Sequence, residues 1–185
     1  MDWLKKLARQ RWFVLLVVAG LIVLAWLLFF KDDGNQSQPS TIYQSVAIEV
    51  PGNWQDQNFT LTERSAGLIA RFGRANPPAT VTIRSETIEL GKDFKLKSLP
   101  GEIVKKFKQA VAGFDLVSQK AVIINGYGGA QIRYLQNGDE YLLLVIPRQH
   151  QTYYLAYRAA DADFEKVQAD FAKINQAFIN YLASY

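Results

Sequence analysis

Nineteen consecutive apolar residues, WFVLLVVAGLIVLAWLLFF at positions 12–30, divide this 185-residue chain into two unlike parts. At about 1.5 Å per residue, a helix of that length reaches about 28 Å, close to the roughly 30 Å hydrocarbon core of a bilayer. A helix buried in a globular core would carry a polar face, and this run has none. Gly20 is tolerated because a membrane helix bonds its backbone internally. The run is expected to span a membrane once, with Trp12 and Trp26 toward its two ends.

Flanking charge predicts the orientation. Lys5, Lys6, Arg9 and Arg11 precede the run against a single Asp2, and Lys31, Asp32 and Asp33 follow it. The excess of basic residues places 1–11 in the cytoplasm and the remainder outside, in a single-pass protein of the cell membrane. The run is longer than the 7–15 residues typical of a cleaved signal core. Leu27, Leu28, Phe29, Phe30 and Lys31 offer no small-x-small cleavage site, so an uncleaved signal anchor is expected. Residues 31–41 (KDDGNQSQPST) read as a flexible linker. Residues 42–185 then form one extracytoplasmic domain.

Alternation with a period of two runs through the first half of that domain. Val46, Ile48 and Val50 alternate with Ala47 and Glu49. Phe59 and Leu61 alternate with Thr60 and Thr62, and Leu68, Ala70 and Phe72 with Ile69 and Arg71. Val81 and Ile83 alternate with Thr80, Thr82 and Arg84. These predict half-buried strands, separated by turn chemistry at Pro51-Gly52-Asn53, Arg64-Ser65-Ala66-Gly67 and Asn76-Pro77-Pro78. A helix is predicted over 100–112, with Ser98 as a capping candidate and Ile103, Phe107, Ala110, Val111 and Phe114 on one face. Strands return at 116–124, 130–136, 141–146 and 152–158. Asn125-Gly126 and Asn137-Gly138 mark two-residue hairpin turns. The stretch 141–146 (YLLLVI) is apolar on both faces, as a central strand covered on both sides requires. A final helix starts near Asp161 and Asp163 and carries a stripe of Phe164, Val167, Phe171, Ile174, Phe178 and Tyr181. The expected class is α+β, an antiparallel sheet between helices in α/β/α layers.

Several stretches together resemble one family. SVAIEVPGNW (45–54) is similar to the strand-Pro-x-x-Trp opening of PsbP-like domains. INGYGGAQIRYL, YLLLVI, TYYLAYR and a terminal helix containing Asn175-Gln176-Ala177-Phe178 follow in the same order. The domain therefore resembles the PsbP-like superfamily, the photosystem II oxygen-evolving accessory subunit and its bacterial relatives, over nearly all of 42–185. The resemblance implies an α/β/α sandwich and a non-catalytic role assisting larger complexes. The sequence departs from plastid members in showing no transit peptide, and from lipoprotein members in having no lipobox cysteine.

Residues suited to catalysis are sparse. Cysteine is absent, which removes disulfides, thiolate metal sites and a cysteine nucleophile. His150 stands alone in Arg148-Gln149-His150-Gln151, no G-x-S-x-G elbow accompanies it, and it reads as a solvated turn residue. Gly126-Tyr127-Gly128-Gly129 lacks the third glycine and the following helix of a dinucleotide loop. Glu86, Glu89, Asp139, Glu140, Asp161 and Asp163 offer carboxylates, the last four at positions favoured for turns and helix starts. Asn35-Gln36-Ser37 and Asn58-Phe59-Thr60 are glycosylation sequons. No cofactor and no metal is expected.

One charge cluster stands out. The domain is nearly balanced, with 16 cationic against 14 anionic side chains, yet Lys92, Lys95, Lys97, Lys105, Lys106 and Lys108 crowd into 17 positions with only Asp93 and Glu102 between them. A solvated loop and helix explain such a run, and so does a docking patch for an acidic partner. The expected partners are the bilayer, through 12–30, and a protein or anionic envelope polymer. Extracytoplasmic placement disfavours nucleic acid. The leading expectation is a membrane-anchored binding or accessory module of the envelope. A carboxylate-dependent envelope hydrolase and a purely structural tether are the competing readings.

Overall fold

Seven antiparallel strands form one sheet in the order β1-β2-β3-β7-β6-β5-β4. The computed structural model describes residues 46, 48–87, 95–148 and 150–184. The strands are β1 (Gln55–Asp56), β2 (Leu68–Ala75), β3 (Pro78–Thr87), β4 (Asp115–Ile124), β5 (Tyr127–Gln136), β6 (Asp139–Pro147) and β7 (Gln151–Ala160). Among the described residues, three α-helices accompany them: α1 (Leu61–Ser65), α2 (Leu99–Ala110) and α3 (Asp161–Ala183). The expected membrane span and linker, and Lys92, lie outside the described residues. Among the described residues, no helix is long and apolar enough to cross a membrane.

The alternation of side chains along the central strands sorts them into two cores. On one face, Leu142, Leu144 and Ile146 of β6 join Leu155, Tyr157 and Ala159 of β7 and Val81 and Ile83 of β3. α3 covers them with Phe164, Val167, Phe171, Ile174 and Phe178, all fully buried. On the other face, Tyr141, Leu143 and Val145 join Ala130, Ile132 and Tyr134 of β5 under Ile103, Val104 and Phe107 of α2. The sheet is thus filled on both sides, and the layering is α/β/α as expected. Burying a side chain of this size stabilises the fold by about 1.5–3 kcal/mol.

Both Asn-Gly turns form as their chemistry requires. Asn125 and Gly126 have φ of 48° and 83°, and Asn137 and Gly138 have 53° and 85°. Two successive positive φ angles match the right-handed twist of the flanking strands.

Some boundaries move. The residues 59–62 do not form a strand: Thr60 caps α1. Its Oγ1 accepts from Glu63 N at 3.2 Å, while its own N–H donates to Glu63 Oε2 at 2.8 Å. The alternating stretch 59–62 overlaps a capping box at Thr60–Glu63, and the two reciprocal bonds decide the outcome. Phe59 is buried and Leu61 is left 55% exposed. Val46, Ile48 and Val50 pack half-buried on the α3 core, and among the described residues the segment joins the sheet through Val46 N to Ile69 O at 3.0 Å. Ser98 occupies the cap position of α2 without capping it. A 3₁₀ turn (Leu96–Ser98) leads straight into the helix, and the Ser98 hydroxyl donates to Lys95 O at 2.9 Å. β5 begins at Tyr127 rather than at 130. On α3, Tyr181 is only half-buried, and Ile179 and Leu182 complete the stripe.

Candidate docking surface

Leu96 fixes the start of the lysine-bearing segment. Its side chain lies over Gly128 of β5, where a Cβ would sit 2.3 Å from Leu96 Cδ2. Any larger residue there would push the leucine side chain aside. Lys95 and Lys97 flank Leu96 and both are exposed. α2 follows, with Ile103, Val104 and Phe107 turned to the sheet, so Lys105 and Lys108 fall on its solvent side. Among the described residues, no carboxylate lies within ion-pairing distance of Lys95, Lys97, Lys105 or Lys108. Lys106 differs. It is half-buried, and burial lowers its pKa, with the Glu102 carboxylate opposing the shift.

Several arginines elsewhere on the domain are neutralised locally. Arg71 is bonded to Glu63, and Arg133 to Glu140 and, at 2.7 Å, to Glu165. Arg74 reaches Asp170 at 2.6 Å, and Arg158 reaches Asp139 at 2.6 Å. Four exposed lysines without an ion pair among the described residues thus lie on the 3₁₀ turn and α2, with Lys120 on β4 as a further one.

The candidate carboxylates do not assemble. Glu86 pairs in register with Thr152 of β7, and Glu140 pairs with Ala159. Seven residues along a strand separate them by about 24 Å, against roughly 5–9.5 Å for a glycosidase pair. Glu86 is pushed up by burial, with the Tyr154 hydroxyl and Arg84 holding it down. Asp139 and Glu140 are committed to Arg158 and Arg133, and Asp163 to Lys166 at 2.5 Å. Asp161 opens α3, its N–H donating to Gly138 O at 3.1 Å. Glu89 lies outside the described residues. His150 is exposed between β6 and β7. Among the described residues, no group of three or more His, Asp or Glu could hold a metal. Gly126 to Gly129 form a hairpin turn and the first residues of β5, with no helix following.

Sequence reasoning missed two features beside the lysines. β4 is the last strand of the sheet, and it exposes Val117 (49%) and Ile123 (76%). Lys120, also exposed, sits in the middle of it. A lysine in mid-strand is a common mark of a sheet edge and was the available signal. The second feature is an open cleft of about 550 Å³ between Val46, Ile48 and Glu49 and the end of α3 at Ala177, Asn180 and Tyr181.

The architecture is PsbP-like. The solution structure of cyanobacterial PsbP (CyanoP) from Synechocystis sp. PCC 6803 matches it with a TM-score of 0.53 at 14% identity, over 80% of this chain and 96% of that one. LpqN, involved in cell envelope biogenesis of Mycobacterium tuberculosis, matches at 0.48 and 16% identity, covering 75% and 83%. A Pseudomonas aeruginosa protein of unknown function, PA94, matches at 0.45 and 15% identity, covering 78% and 84%. No family model and no curated protein matches the sequence. The resemblance read from the motifs therefore holds at the level of the fold.

Proposed function

We propose that the chain is a membrane-anchored docking module that holds an acidic partner against its lysine-bearing surface and assists an envelope complex without catalysing a reaction. The single observation that carries this reading is the set of four exposed ammonium groups, Lys95, Lys97, Lys105 and Lys108, with no carboxylate within ion-pairing distance among the described residues. Leaving like charges together costs folding stability through self-repulsion, and a partner of opposite sign recovers that cost. The apolar run at 12–30 supplies the anchor, with the domain outside the cell. The PsbP-like fold agrees with an accessory role.

The test compares the full chain with a variant carrying Gln at Lys95, Lys97, Lys105 and Lys108, both cross-linked to partners in native membranes. Capture of an acidic partner should weaken with salt, because exposed charges are screened over about 10 Å at 0.1 M. It should also vanish in the variant while the domain stays folded. Capture that survives both changes rejects the lysine surface.

A further inference from the structure

The two edges of the sheet are not equivalent. The outer side of β2 is occupied: Val46 N donates to Ile69 O at 3.0 Å, Gln57 N donates to Arg71 O at 2.8 Å, and β1 pairs with Phe72 and Gly73. Among the described residues, no backbone group bonds to the outer side of β4. Ile124 and Tyr127 flank a two-residue turn and so form a hydrogen-bonded pair. Alternate residues Ser118, Lys120 and Val122 therefore turn their backbone groups toward β5. Gln119, Ala121 and Ile123 turn theirs outward, where nothing among the described residues meets them. From Ser118 onward the strand is exposed except at Val122 and Ile124.

The lysines border this edge. α2 runs alongside β5 in the same direction: Leu96, just before it, sits on Gly128, and Ala112, just after it, accepts from Gln136 Nε2 at 3.1 Å. It is thus antiparallel to β4. A right-handed helix in that direction, with Ile103, Val104 and Phe107 down, carries Lys105 and Lys108 to the flank on the open side and Lys106 to the other. Leu96, between Lys95 and Lys97, rests on the residue paired with Ile123. Lys120 presents a further cation on the opposite face of the same strand.

We infer that β4 accepts an acidic, extended segment of a partner protein as an eighth strand. Its backbone would pair with Gln119, Ala121 and Ile123, and its carboxylates would lie beside Lys105, Lys108 and Lys120. Main-chain bonds supply affinity in such additions, and alternate side chains supply specificity. A second copy of this chain fits poorly, because two-fold pairing about Ala121 would bring the lysines of both copies together. The inference rests on the docking function proposed above and names the manner of docking.

The probe is a fluorescein-labelled synthetic decapeptide alternating glutamate and valine, titrated against the full chain in nanodiscs of zwitterionic lipid. Binding should weaken at least about tenfold between low and high salt. Amide hydrogen exchange at Gln119, Ala121 and Ile123 should slow in the complex. Ala121→Pro removes one outward N–H and leaves the β5 ladder whole, so binding should fall at least about tenfold. A peptide N-methylated at alternate residues should fail in the same way against the unmodified chain, whether or not the proline variant folds. If the four-lysine variant loses the peptide while Ala121→Pro and N-methylation change nothing, charge docking stands and strand addition is overturned. No binding at low salt, or binding indifferent to every change, overturns both. Slow exchange at these amides that depends on protein concentration without peptide would assign the edge to a second copy and overturn an acidic segment as its occupant. Lysine-dependent attachment to nanodiscs containing about 30% anionic lipid, with the peptide excluded, would overturn it likewise.

Discussion

The indole Nε1 of Trp54 donates to Asp170 Oδ2 at 3.1 Å, across 116 positions of sequence. Arg74 Nη1 donates to the same oxygen at 2.6 Å, and its guanidinium carbon lies 6.0 Å from the centre of the indole. Trp54 also meets Phe171 edge-on at 5.9 Å. The Pro-x-x-Trp segment is thereby clamped to the middle of α3 by one shared carboxylate.

Asp170→Ala should destabilise the domain by about 2–4 kcal/mol, because it leaves the Arg74 charge and the indole N–H without their acceptor in a largely buried setting. The urea midpoint of the full chain in detergent, followed by circular dichroism, measures the loss. A midpoint unchanged from that of the native chain would mean that the clamp contributes no stability.

Phe171 has no exposed surface and touches Trp54, Tyr157 and Phe164. Phe171→Ala should cost about 3–5 kcal/mol. Lys173, two positions on, is exposed and 3.9 Å from Asp170, and Lys173→Ala should stay within about 0.5 kcal/mol. Equal losses at the two positions would contradict the register of α3.

Two glutamates should respond to pH in opposite senses. Burial raises the Glu63 pKa, but bonds from the Thr60 backbone and from Arg71 outweigh it and leave the pKa lowered. Its contribution to stability is therefore present above the unfolded pKa of about 4.3 and is lost as pH falls through the folded value. Glu86 has a raised pKa because burial dominates the Tyr154 and Arg84 contributions. Its ionisation weakens the fold as pH rises through that value. Glu63→Gln should accordingly destabilise the domain at pH 7 and converge with the native chain in acid. Glu86→Gln should stabilise it at pH 7 and also converge in acid. Unfolding midpoints measured across the acid range would reject this assignment if both variants shifted in the same direction.

The native chain has no cysteine, so single thiols introduced by Gln10→Cys and Ser40→Cys report topology without background. An impermeant maleimide added to intact cells should label position 40 and spare position 10. The reverse pattern would invert the expected orientation.

What the sequence revealed depended on how local each determinant was. The Asn-Gly turns and the α3 stripe are written in neighbouring residues, and both formed where expected. At 59–62 two local signals overlapped, and the capping box won over the alternation. Trp54 was legible as part of a motif, but its acceptor lies on a helix more than a hundred residues away. The lysines were visible as a cluster. The half-burial of Lys106 and the edge position of β4 follow from helix rotation and strand order, which nearest neighbours in sequence do not encode. The exposure of Val117 and Ile123 follows from the same strand order.

The asymmetry of the sheet edges also sets a valency. With the outer side of β2 filled by the chain's own backbone and β1 only two residues long, β4 is the one long edge left for strand addition among the described residues, so one molecule offers one such site. Five strand spacings separate β2, where the chain enters from the N-terminal side, from β4, a reach of about 24 Å. Anything gripped at the open edge is therefore held to the side of the point where the chain enters the sheet, as cargo on the arm of a crane.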